Sequence, residues 1–118
     1  NASGILDRGE AIEDDFIADP SDPRRREAWY AVLDELNALA RPSYKRIVDH
    51  IDHIVSLVGT DYVGLGSDFD GIAVTPQGME DISRFGLVFD EMRARGYSEN
   101  EIEKVASANF FRVMQACQ

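Results

Sequence analysis

Two carboxylates at the end of a short apolar run are the residues of this chain best placed to perform chemistry. Asp68 and Asp70 stand in the stretch VGLGSDFDGI, which begins at Val63, and Gly71 follows them. Side chains two positions apart on an extended chain point to the same side, so both carboxylates would face one surface. In α/β proteins, ligands bind at the C-terminal ends of strands. The sequence therefore predicts that these aspartates belong to a binding or catalytic loop.

Calcium binding and a solvated turn are two alternatives for this loop. An EF-hand needs glycine at its sixth position and glutamate at its twelfth. Counted from Asp68, these positions hold Ala73 and Met79, so the EF-hand pattern fails. A turn with two solvated aspartates remains open, because aspartate and glycine are common turn residues.

Phosphoryl transfer is a further alternative. An apolar strand followed by Asp-x-Asp-Gly resembles the first motif of the haloacid dehalogenase-like phosphatases, with Asp68 as nucleophile and Asp70 as general acid/base. Ile72 stands where that family usually has threonine, and Lys104 is the only lysine after the motif. This phosphatase hypothesis stays open.

The elements around the loop follow from apolar periodicity and from capping and breaking residues, such as the helix start at Asp22 and Pro23 and the capping box of Ser98 and Glu101. Within a single partial domain, 1–118, they are an acidic loop over 1–21, helices over 22–40 and 43–58, a strand over about 61–66, the active-site loop over 67–81, and helices over 82–95 and 98–116. A lone strand cannot satisfy its own backbone groups. We therefore expect an α/β fold that is mostly helical here and that forms part of a larger sheet.

Composition limits the partners of the chain. The formal charge is −10, from 22 acidic and 12 basic side chains, which argues against nucleic acid and anionic membranes as partners. Cys117 is the only cysteine, so no internal disulfide is possible. No signal peptide is visible, and no compartment is predicted. The chain begins Asn1-Ala2-Ser3 without methionine, which suggests a longer gene product.

Four ordered blocks of the sequence resemble the C-terminal part of the renal (membrane) dipeptidase family. The blocks are DHIDHI from Asp49, VGLGSDFDG from Val63, PQGMED from Pro76 and NFFRV from Asn109. Their order and spacing match the family over about Tyr44 to Ala116. The resemblance implies the last part of a (β/α)8 TIM-barrel metallohydrolase.

The resemblance also implies a mechanism. Members of the family hold two zinc ions at the barrel mouth, and a bridging hydroxide attacks the peptide bond of a dipeptide. Asp68 matches the aspartate that carries the proton from the nucleophile to the leaving amine. Gly71 matches a position whose N–H contacts substrate, and Asp70 either contacts substrate or braces the loop. His50 and His53 do not match zinc ligands, and we expect them to have a structural role, such as hydrogen bonding between helices.

The family's zinc ligands come from a His-x-Asp pair, a glutamate and two histidines on earlier strands, and this chain has no such set. We therefore expect no metal site in the chain, a zinc dipeptidase as the parent protein, and no activity from the chain alone. An orphaned barrel segment also favours self-association or a domain-swapped oligomer. An acidic helical interaction module is the remaining alternative.

Overall fold

The computed structural model describes residues 2–72 and 74–118. Asn1, in the predicted acidic loop, and Ala73, in the predicted active-site loop, lie outside the described residues. The sequence predicted a single partial domain, and the chain divides into two compact units. One comprises Asn1–Arg41 with Ile72–Val74, and the other comprises Pro42–Gly71 with Thr75–Gln118.

The first unit contains two helices, α1 (Ala2–Ala18) and α2 (Pro23–Ala38). Asp22 caps α2, because its carboxylate accepts a hydrogen bond of 2.9 Å from the backbone N–H of Arg24. Proline in the first turn needs no N–H partner, which suits this helix start. The start of α2 predicted from Asp22 and Pro23 is thus confirmed.

The prediction of an acidic loop over residues 1–21 is wrong, because α1 occupies most of that range. The helix packs on α2. The rings of Phe16 and Trp29 stack with centroids 6.3 Å apart, and Gly9 is buried close to Val32. Helix α1 has many charged residues and few apolar contact residues, so its sequence shows only weak helical periodicity.

The second unit holds the four blocks that resemble the dipeptidases. Its helices are α3 (Lys45–Val58), α4 (Phe85–Ala94), α5 (Glu99–Glu103) and α6 (Asn109–Ala116). A 3-10 turn at Ile82–Arg84 precedes α4, and a π-helical turn at Lys104–Ala108 joins α5 to α6. The capping box predicted for Ser98 and Glu101 is confirmed. The core consists of Val48, Ile51, Val63, Met79, Val88, Met92, Ile102 and Val105.

The strand predicted over 61–66 is not found. Thr60–Tyr62 form a 3-10 turn, and Val63 then has extended angles of φ −123° and ψ 139°. A strand needs a neighbour to pair with, and in the described part of the chain the only bridge is an isolated parallel one between Ser43 and Gln77. The described residues are therefore mostly helical.

Within the described ranges, no helix is both long and apolar enough to cross a membrane.

Candidate functional site

The two candidate carboxylates lie on a tight turn. The backbone N–H of Gly71 donates to the carbonyl of Asp68 over 2.9 Å and closes the turn. Asp68 and Asp70 are exposed, whereas Phe69 between them is half-buried. The ring of Phe69 lies 6.0 Å from that of Phe85, at the start of α4. Phe69 thus anchors the turn to the core and leaves both carboxylates in solvent.

The carboxylate of Asp68 packs directly over the α-carbon of Gly71. A Cβ built on Gly71 would lie 2.6 Å from Cγ of Asp68, and closer still to its oxygens. Positive φ angles among the described residues occur only at other glycines. A side chain at position 71 would therefore require the Asp68 carboxylate to move.

The same turn uses the N–H that the resemblance assigns to substrate. Because Gly71 donates to the Asp68 carbonyl, a substrate contact through this N–H requires the turn to open or the N–H to be shared. The substrate-binding role of Gly71 stays a prediction. Asp70 lies beside it on the same turn and also stays a prediction as a substrate contact.

A cleft of about 460 Å³ adjoins the turn. Its lining residues are Ser67, Asp68, Phe69, Asp70, Asp81 and Ile82. Asp81 was not among the predicted site residues. Its carboxylate accepts hydrogen bonds from the hydroxyl and the N–H of Ser83, which hold its pKa below the usual range. The Asp-x-Ser spacing before an apolar segment was the available signal for this cap.

The carboxylates of this cleft do not amount to a metal-ligand set. Across residues 2–72 and 74–118, no group of three or more histidine, cysteine, aspartate or glutamate side chains could hold a metal ion. Zinc sites use three or four such side chains. The residues described in this chain therefore do not fit a zinc site by themselves.

Aspartates link the helices in the block that contains the two histidines. The Arg95 guanidinium donates to the carboxylates of Asp49 and Asp52, both over 2.7 Å. The Tyr97 hydroxyl donates to Asp52 over 2.6 Å, and burial together with this bond raises the pKa of Tyr97 to about 12. His50 and His53 are exposed on the same helix. The hydrogen-bonding role predicted for the histidines is thus filled by the two aspartates.

The NFFRV block holds the backbone that leads to the turn. The side chain of Asn109 is buried and donates to the carbonyls of Thr60, over 2.7 Å, and Val63, over 2.9 Å. Arg112 donates to the Asp61 carbonyl and, over 3.0 Å, to the side-chain oxygen of Asn109. Sequence reasoning assigned no role to either residue, because their backbone partners lie far away in the chain.

Comparison with known proteins identifies the family to which this chain belongs. The family model of the membrane dipeptidases, peptidase family M19, matches residues 28–118. The chain therefore belongs to the membrane dipeptidase family. The four resembling blocks all lie within the matched range, as the sequence predicted.

Curated relatives carry dipeptidase names. The chain is 45% identical over 76 residues to dipeptidase ataJ of Aspergillus terreus, covering 64% of this chain and 18% of that protein. It is 36% identical over 77 residues to dipeptidase verJ of Clonostachys rogersoniana, covering 65% and 20%. It is 36% identical over 81 residues to dipeptidase 3 of Homo sapiens, covering 69% and 16%. The chain thus spans at most a fifth of the length of these relatives.

Proposed function

We propose that this chain supplies the residue that transfers the proton in a dipeptidase active site. The observation that carries the proposal is the position of Asp68, exposed on an anchored turn at the edge of a cleft, in a chain of the membrane dipeptidase family. Fold membership alone would not assign a role to a residue. The proposal therefore rests on Asp68 in particular and extends to a longer barrel protein that includes this segment.

The chemistry that we assign to Asp68 is proton transfer during hydrolysis of a dipeptide. Its carboxylate accepts a proton from the attacking water and returns it to the nitrogen of the leaving amino acid as the C–N bond breaks. Asp68 is exposed at the edge of the cleft, so its carboxylate is accessible to both atoms. Gly71 leaves room for this carboxylate, and Asp70 faces the same cleft as a candidate contact for substrate.

We also propose that the longer protein binds two zinc ions with residues outside this chain. The described residues offer no ligand set of their own, so we assign to them no contact with the metals. It follows that the 118-residue chain alone would not hydrolyse dipeptides. Such hydrolysis by the purified chain would overturn this part of the proposal.

The test is Asp68→Asn in the longer protein, with hydrolysis of a series of dipeptides as the assay. Loss of a general acid/base lowers kcat by roughly 10²–10⁴-fold, and we expect a loss in this range. Asp34→Asn, at an exposed carboxylate of α2, is the matched control and should keep full activity. If Asp68→Asn keeps the kcat of the unmodified protein, the assignment of Asp68 is wrong.

The other hypotheses receive less support. A phosphatase of the haloacid dehalogenase type is not favoured by the family match, and Lys104 pairs with Asp61 over 2.9 Å. An acidic interaction module is likewise not favoured. Self-association of the isolated chain stays a prediction, and the large apolar side chains exposed in the second unit support it. These include Leu57, Tyr62, Phe110, Phe111, Val113 and Met114.

A further inference from the structure

The segment that leads to Asp68 has little structure of its own. Residues 63–68 form neither a helix nor a paired strand, and they include Gly64 and Gly66. Glycine gives a backbone wide conformational freedom, which must be restricted if a side chain is to hold one position. Within this chain, the position of Asp68 therefore depends on anchors at the two ends of this segment.

One anchor follows Asp68 and the other precedes it. After Asp68, Phe69 packs on Phe85. Before it, Val63 is buried in the core, and its carbonyl accepts a hydrogen bond from the side chain of Asn109. These anchors come from different helices, since Phe85 begins α4 and Asn109 begins α6.

The hydrogen bonds of Asn109 require a carboxamide on a side chain of this length. Its NH₂ group donates to both Thr60 and Val63, and its oxygen accepts from Arg112. Both kinds of hydrogen-bonding group on the side chain are thus used. Aspartate has the same shape but lacks the donors, and glutamine is longer by one methylene group. The π-helical turn Lys104–Ala108 comes directly before Asn109, and such turns are often found at functional sites.

The ring of Phe110 adds a steric restraint to the same anchor. A Cβ built on Gly64 would lie 2.7 Å from Cε2 of Phe110, so the ring lies against the backbone at Gly64. The first two residues of α6 therefore restrain two consecutive residues of the segment, Val63 through a hydrogen bond and Gly64 through contact.

We propose that Asn109 is a positioning residue for Asp68. By holding the carbonyls of Thr60 and Val63, it fixes the position at which the glycine-containing segment begins and hence the position of Asp68. This inference rests on the proposed role of Asp68 in hydrolysis. Asn109 acts only through the backbone and is not a catalytic residue.

The first experiment measures backbone nitrogen-15 NMR relaxation in the 118-residue chain carrying Asn109→Asp. This variant removes both donors and sets a carboxylate against two carbonyl oxygens. We expect lower order parameters for the amides of residues 64–68 and little change in α3 and α4, because only the segment gains mobility. Asn37→Asp, at an exposed asparagine of α2, is the control and should change neither. An equal fall in order parameters in every helix would show a general structural role and overturn the proposal, and so would unchanged order parameters at residues 64–68.

The second experiment measures kinetics in the longer protein. A displacement of about 1 Å at a reacting group can cost roughly 100-fold in rate, so we expect Asn109→Asp to lower kcat by up to that factor while KM stays within about twofold. Asn109→Ser keeps one donor and adds no charge, so we expect a smaller loss of kcat. This variant replaces Asn109→Asp if the latter does not fold. Unchanged kcat in both variants would refute the positioning role. If the unmodified longer protein hydrolyses no dipeptide, the proposed function fails, and the NMR relaxation experiment alone decides whether Asn109 positions the segment.

Discussion

Replacing Gly71 by alanine tests whether the space beside Asp68 matters for activity. The new Cβ would lie 2.6 Å from Cγ of Asp68, whereas carbon atoms in favourable contact are about 3.5–4.0 Å apart. The carboxylate must therefore move by about 1 Å. The backbone at position 71 does not have a positive φ, which would be unfavourable for alanine. We therefore expect the side chain of Asp68 to move while the backbone of the turn keeps its conformation.

The expected result is a loss of activity with little loss of stability. A misplacement of 1 Å corresponds to a fall in kcat/KM of roughly 100-fold for dipeptide hydrolysis by the longer protein. Alanine in place of glycine also lowers the entropy of the unfolded chain, so the free energy of unfolding should change by no more than about 1 kcal/mol. Steady-state kinetics and thermal unfolding measure the two quantities separately.

Gly86→Ala is the matched control for this substitution. A Cβ at Gly86 in α4 would meet no atom within 4 Å, so activity should be unchanged. Carbon-13 NMR of the Asp68 carboxyl in the 118-residue chain reports the displacement without any assay of hydrolysis. If Gly71→Ala leaves both this signal and kcat/KM unchanged, the argument from space is refuted.

Two further predictions concern stability. Met92→Ala should lower the free energy of unfolding by about 2–5 kcal/mol, because Met92 is fully buried; chemical denaturation measures this, and Met114→Ala, at an exposed methionine, should change it by less than about 0.5 kcal/mol. Tyr97 keeps its proton in the folded protein up to a pKa of about 12, whereas an unfolded tyrosine loses it near pH 10. Stability from this group is thus present below pH 10 and lost as the pH rises to about 12. Tyr97→Phe should flatten this fall in denaturation measured against pH, and Tyr62→Phe, at an exposed ring, should not.

Local signals in the sequence predicted what is decided locally. Asp22 caps α2, and Ser98 with Glu101 forms a capping box, because such bonds join residues two or three apart. Helix α1 was missed, since its packing depends on pairs such as Phe16 with Trp29 in another helix. The strand over 61–66 was predicted from an apolar run alone, and an apolar run does not supply the partner that a strand requires.

The same distinction between local signals and long-range contacts applies to the candidate site. The blocks around Asp68 led to the right family, because their order and spacing are properties of the sequence. The hydrogen bond from Asn109 to the carbonyl of Val63 was not predictable, because nothing in the sequence indicates which side chain a backbone carbonyl bonds to. The interpretation of Gly71 was incomplete, because only the folded turn shows the Asp68 carboxylate lying over it.

The hydrogen bond between Asn109 and Val63 also orders events during protein synthesis. The two residues are 46 positions apart, which at about 5–20 residues per second amounts to roughly 2–9 s of translation. For most of that interval the growing chain already contains Asp68 but not the side chain that holds the carbonyl of Val63. A chain that ends before residue 109 would therefore contain every residue of the turn and its Phe69–Phe85 contact, but would lack the side chain that holds the carbonyl of Val63.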